Sequence, residues 1–174
     1  SHKVTPLPTD LLKAQIDTAI STGIDAIKTG MLASEEIIQI ASDAIQRANT
    51  KHVVIDPVMV CKGDDEVLNP GNTKAMIEHL LPYATVTTPN LFEAGQLAEM
   101  PTPKTVDDVK AVAKEIVARG AKAVVVKGGK KLQHDKAVDV FYNGQDFYLL
   151  ETEKFDTVWN HGAGCTFAAA ITAN

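Results

Sequence analysis

Val106-Asp107-Asp108-Val109-Lys110-Ala111-Val112-Ala113-Lys114-Glu115-Ile116-Val117, followed beyond Gly120 by Ala123-Val124-Val125-Val126, decides the fold class of this chain. Val106, Val109, Val112, Ala113, Ile116 and Val117 recur at three- and four-residue spacing, the mark of a helix with one apolar stripe. Gly120 ends that helix, because glycine accepts the left-handed conformation that closes helices. The run Ala123–Val126 is continuous and β-branched at its end, as expected of a parallel strand covered on both faces. A helix feeding such a strand is half of a β-α-β unit.

The same alternation extends outward in both directions. Upstream, Leu12, Ile16, Ala19 and Ile20 predict a helix after Pro8-Thr9-Asp10, and Asp25-Ala26-Ile27-Lys28 a short strand ending at Thr29-Gly30. Ile37, Ile38, Ala41, Ala44 and Ile45 predict a second helix capped by Ser34. His52-Val53-Val54-Ile55 reads as a buried strand, and Ala84-Thr85-Val86-Thr87 as a weaker one before a helix from Leu91 to Ala98. Downstream, Ala137–Tyr142 and Gln145–Leu150 flank Asn143-Gly144, a two-residue hairpin signal. Together these predict an α/β fold: a mostly parallel sheet between helices, with a small antiparallel appendage.

Composition narrows the function classes. The 174 residues suffice for one domain with a real core, and the formal net charge of −5 argues against a nucleic-acid binder. No apolar run reaches the length of a membrane span. The two cysteines, Cys61 and Cys165, sit far apart and outside any zinc-type cluster, which predicts reduced thiols and a cytoplasmic location.

In an open parallel sheet, chemistry lies just beyond the C-terminal ends of the strands. Four polar motifs fall there: Thr29-Gly30-Met31-Leu32, Asp56-Pro57-Val58-Met59, Thr88-Pro89-Asn90-Leu91-Phe92-Glu93 and Lys127-Gly128-Gly129-Lys130-Lys131. Each alone is also an ordinary turn former. A fifth motif, Asn160-His161-Gly162-Ala163-Gly164-Cys165-Thr166, opens an alanine-rich helix. Gly162, Ala163 and Gly164 can turn several N–H groups towards one anion, where the helix dipole adds to them. A helix N-terminus favours the thiolate form of cysteine, so Cys165 is a candidate base or nucleophile; an inert helix-capping thiol is the plain alternative.

These residue types suit phosphoryl transfer, which needs phosphate charge neutralised, a metal ion and a base for the accepting hydroxyl. Glu93 and Asp56 are candidates to hold Mg²⁺ directly or through water. Lys127 and the glycines behind it are candidates to pass beneath nucleotide phosphates. No Gly-x-x-x-x-Gly-Lys-Ser/Thr loop is present.

The five motifs, taken in order with Lys28 before the first and Val126 before the fourth, resemble the signatures of the hydroxymethylpyrimidine and pyridoxal kinases of the ribokinase-like superfamily. The resemblance covers essentially the whole chain. It implies a three-layer fold, ATP as phosphoryl donor and Mg²⁺ as cofactor. It implies Met31 and Val58 against the substrate ring, and Asn90, Lys127, Gly128, Gly129, Lys130, Lys131 and Asp139 on the nucleotide side. Cys165 stands where most of the superfamily has an aspartate base, as in the hydroxymethylpyrimidine kinase branch.

Cys61, in Val60-Cys61-Lys62-Gly63-Asp64-Asp65-Glu66, resembles the lid of the dual-cysteine pyridoxal kinases, where pyrimidine kinases usually carry a smaller non-thiol residue. The resemblance therefore implies phosphorylation of the primary alcohol of pyridoxal, with hydroxymethylpyrimidine as the alternative substrate. Cys165 is the thiol implied to capture the pyridoxal aldehyde, and Cys61 assists from the lid. A non-catalytic pyridoxal carrier and a thiol redox sensor are further alternatives. Family members open with a strand and glycine-rich segment ahead of Ser1 and continue in helix beyond Asn174. The expectation is thus a single kinase domain over residues 1–174 lacking those parts, homodimeric at full length.

Overall fold

The structure, a computed structural model, describes residues 6–59, 70–155 and 162–174. Its centre is a six-stranded sheet in the order β1 (Ala26–Thr29), β2 (His52–Ile55), β3 (Val86–Thr87), β4 (Val124–Lys127), β5 (Ala137–Tyr142), β6 (Phe147–Thr152). The first four strands are parallel, and β5 and β6 are antiparallel. Thr29 pairs with Ile55, Ile55 with Thr87, and Lys127 with Asp139, so the predicted polar motifs leave the sheet on one rim.

The helices are α1 (Thr9–Ser21), α2 (Glu35–Ala48), α3 (Pro70–His79), α4 (Leu91–Ala98), α5 (Val106–Ala118) and α6 (Ala163–Ala173). Each parallel strand pairs with the next in sequence. Right-handed crossovers therefore place α2, α3 and the α4–α5 pair side by side on one face. The other face is left to α6, which packs on β1 and β2. Between the layers lie Ile38, Ile55, Leu80, Leu97, Val109, Val112, Ile116, Val124 and Val126, all essentially without solvent contact.

Local chemistry explains the helix ends. Ser34 accepts from the Ile37 N–H at 3.3 Å, as its position predicted. Thr105 and Asp108 form a reciprocal capping box at the start of α5, and Gly120 follows its end at φ +122°.

One expectation needs correction, and one stretch went unread. The hairpin loop has four residues, 143–146, because Tyr142 pairs with Phe147. The Asn143 carboxamide oxygen accepts from the N–H groups of Gln145 and Asp146, closing a longer loop than Asn-Gly alone would. Helix α3 and the 3-10 turn Leu81–Tyr83 carry no clean stripe and escape the periodicity reading. They bury Met76, Leu80 and Leu81 all the same.

Candidate active site

The rim assembles around Asp56. The chain leaves β2 at Ile55, and Asp56 keeps the sheet pairing through its N–H to the Thr29 carbonyl at 3.3 Å. Its side chain is 1% exposed. Oδ1 accepts from Lys127 Nζ at 3.1 Å and from Thr88 Oγ1 at 3.2 Å. Oδ2 is buried with no hydrogen-bond partner among the described residues. Lys28 Nζ lies 3.9 Å from Oδ2.

Beyond β3 the chain stays tied to β4, because the Lys127 N–H donates to the Pro89 carbonyl at 2.8 Å. This tie brings the start of α4 beside the end of β4. Asn90 caps α4: its Oδ1 accepts from the Glu93 N–H, and Glu93 Oε2 accepts from the Asn90 N–H at 2.8 Å. Glu93 is therefore buried at the first turn of a helix. Burial pushes its carboxyl up to about 7, opposed by the Asn90 N–H and the Lys127 ammonium, and reinforced by the Asp56 carboxylate.

The glycines after Lys127 have distinct reasons. A Cβ on Gly128 would lie 2.3 Å from the Val138 carbonyl oxygen, so no other residue fits without moving the sheet. Gly129 takes φ +50° and opens the 3-10 turn Gly129–Lys131. Its N–H donates to Asp139 Oδ1 at 3.1 Å, so Asp139 holds the predicted nucleotide loop in shape. Lys130 and Lys131 are exposed on that turn.

Helix α6 completes the rim. Gly162 is its N-cap at φ +80°, and no side chain among the described residues caps it. The N–H groups of its first turn are those a helix leaves unpaired. Cys165 is exposed in that turn. A Cβ on Gly164 would stand 3.2 Å from Lys127 Nζ, so the ammonium that holds Asp56 also lies beside the glycine turn.

The structure thus brings Asp56, Glu93, Lys127 and Gly162–Cys165 to one end of the sheet. Met31, 40% exposed, and half-buried Val58 follow β1 and β2 on the same rim. Cys61 lies outside the described residues, as do Asn160 and His161. Lys28 and Thr88 gain partners that their motifs did not reveal. The available signal for Lys28 was a cation inside a short strand covered by a helix. The groove between α3 and α4, lined by Ile77, Met100 and Arg119 among others, lies away from this rim and holds none of the predicted residues.

Comparison with known proteins gives one consistent answer. The sequence profile described as phosphomethylpyrimidine kinase matches residues 1–174. The pyridoxine kinase of Bacillus subtilis is 54% identical over 99% of this chain and 64% of its own length. The structure of the pyridoxal kinase from Staphylococcus aureus in complex with AMP-PCP superposes with a TM-score of 0.94. It is 58% identical and is covered over 63% of its chain by 99% of this one. The hydroxymethylpyrimidine/phosphomethylpyrimidine kinase of B. subtilis is 36% identical, over 99% of this chain and 64% of its own. The chain therefore spans a little under two thirds of the relatives it matches. With its ribokinase-like sheet and all five rim motifs, the chain belongs to the phosphomethylpyrimidine kinase family.

Proposed function

We propose that this protein is a cytoplasmic pyridoxal kinase. It transfers the terminal phosphoryl group of ATP to the primary alcohol of pyridoxal, giving pyridoxal 5'-phosphate. One observation carries the reading: Lys127, bonded to buried Asp56, lies beside the glycine turn, where a Cβ on Gly164 would stand 3.2 Å from its ammonium. A phosphate bound there meets backbone N–H groups and an ammonium at once, the electrostatic arrangement that phosphoryl transfer requires. The higher identity to the pyridoxine and pyridoxal kinases supports the B6 substrate over the pyrimidine.

The roles follow from position. The first-turn N–H groups over Gly162, Ala163 and Gly164 hold the transferring phosphate, and Lys127 neutralises it from below. The turn Gly129–Lys131, held by Asp139, carries the remaining nucleotide phosphates, with Asn90 at the start of α4 beside it. Met31 and Val58 line the vitamin ring.

Mg²⁺ fits this donor set. Glu93 supplies a buried carboxyl, and Asp56 Oδ2, facing Lys28 at 3.9 Å, has no hydrogen-bond donor among the described residues and suits a metal-bound water. Glu93 and Asp56 would hold the ion, and when bound it supplies further neutralisation of phosphate charge. Homodimerisation at full length belongs to the same proposal.

Cys165 captures the aldehyde in this reading. Its thiolate sulfur adds to the carbonyl carbon, the C–O π bond breaks, and the oxygen takes a proton to give a hemithioacetal. A thiol so engaged is not free to deprotonate the alcohol, and that role passes to Cys61 or to another group at the site.

ATP consumption with pyridoxal, pyridoxine and hydroxymethylpyrimidine, compared side by side in the full-length protein, tests the substrate. Faster turnover of hydroxymethylpyrimidine would replace the proposal with a thiamine-pathway kinase. The covalent step has its own readout. Pyridoxal is expected to change its aldehyde absorbance on binding, pyridoxine to show no such change, and Cys165→Ala to abolish it. A spectrum unaltered by Cys165→Ala would exclude the adduct.

A further inference from the structure

The geometry points to Lys28 as a positioning residue for phosphoryl transfer, acting through Asp56 on Lys127. The inference rests on the kinase reading above. Lys28 is the third residue of the four-residue strand β1, where a charged side chain is unusual. Its side chain is 22% exposed, and its ammonium donates to the Thr29 carbonyl at 3.3 Å. From there it faces Asp56 Oδ2 at 3.9 Å.

Asp56 thus faces two ammonium groups, one at each carboxylate oxygen. Oδ1 is occupied by Lys127 and Thr88, while Oδ2, without a hydrogen-bond partner among the described residues, faces the charge of Lys28. Before a metal-bound water reaches it, a buried carboxylate oxygen without compensation is costly, so removing Lys28 would favour turning both oxygens towards Lys127 and away from that water's position. Lys127 would then be drawn from the glycine turn and its charge cancelled. With Lys28 present, two ammonium groups share one carboxylate, and a surplus positive charge remains beneath the phosphate position at Gly164. Lys28 needs no contact with either substrate to have this effect.

The test uses Lys28→Met, Lys28→Arg and Asp56→Asn, and the Lys28→Met/Asp56→Asn pair, in the full-length protein with ATP and pyridoxal below every variant's melting point. Lys28→Met is expected to lower kcat about 10- to 100-fold, the size typical of losing an outer-layer partner, with the pyridoxal KM within about threefold of wild type. Lys28→Arg, which keeps the charge, is expected to recover most of the rate. In the Asp56→Asn background Lys28→Met should cost little more, because a residue acting through Asp56 then has nothing to act on. A wild-type kcat in Lys28→Met would overturn the inference, as would an equal loss with and without the Asp56 carboxylate. Absence of pyridoxal turnover in the wild type would instead remove the kinase reading, and this inference with it.

Discussion

Gly164→Val is expected to abolish most phosphoryl transfer while leaving the protein folded. The position lies in the first turn of α6, half-buried, with ordinary helical geometry, so the backbone accepts a side chain. The space does not. A Cβ there already stands 3.2 Å from Lys127 Nζ, and the two methyl groups beyond it would push the ammonium aside and cover the first-turn N–H groups. Losing one preorganised donor of this kind typically costs about 100- to 1,000-fold in rate, roughly 3 kcal/mol. The substitution removes a cation and crowds several donors together, so the upper end is expected. Turnover and thermal melting, measured together, check it. Near-normal turnover would take the glycine turn out of the mechanism.

Glu93→Gln is expected to pull stability and activity in opposite directions. The Glu93 carboxyl moves from an ordinary 4.5 up to about 7 in the folded protein, chiefly because it is buried. Between those values the folded state holds a proton that the unfolded state has released, so stability falls as pH rises across that window. The whole effect approaches roughly 3 kcal/mol above pH 7 and vanishes below about 4.5, where both states are protonated. Glutamine mimics the protonated form and can still accept the Asn90 N–H, so the metal-free variant should melt higher than wild type at about pH 8 and alike at about pH 4.5. Its activity should suffer, with a raised Mg²⁺ requirement, a lower rate and unchanged pyridoxal binding. Parallel melting curves across pH would refute the buried charge. An unchanged Mg²⁺ titration would reduce Glu93 to a helix cap.

Much of the fold was legible because burial leaves strong local marks. The valine run of β4 and the stripe of α5 needed nothing beyond periodicity, and the C-terminal ends of successive strands put the polar motifs in register. Helix α3 was not legible, because its ten residues, Pro70–His79, carry no sustained apolar face. The candidate site was legible as a set of residues that one rim brings together, and much less so as a set of contacts. Sequence places Asp56 and Lys127 on one rim, but only folding shows that they bond to each other and that Lys28 faces the remaining oxygen. Asp139 likewise holds the Gly129 turn through a pairing that depends on hairpin register. The elevated Glu93 carboxyl depends on how completely α4 is covered, a tertiary quantity absent from Asn90-Leu91-Phe92-Glu93 itself.

The strand order has a consequence for how the site comes into being. Every strand pairs with its immediate successor in the chain, so the sheet grows by closing modest loops one after another, each at small entropic cost. Helix α6 is the exception: it docks on β1 and β2, at the far end of the sequence. Among the described elements that contact closes the longest loop and is favourable only once both strands are in place, so it is expected to form after the parallel strands have paired. Pulse-labelled hydrogen exchange during refolding would see the amides of α6 protected after those of β2 and β4; simultaneous protection would contradict this order. The glycine turn rides on α6. In the proposed reading, a chain whose α6 has not yet docked on β1 and β2 lacks the phosphate site, and productive binding of ATP reports that contact.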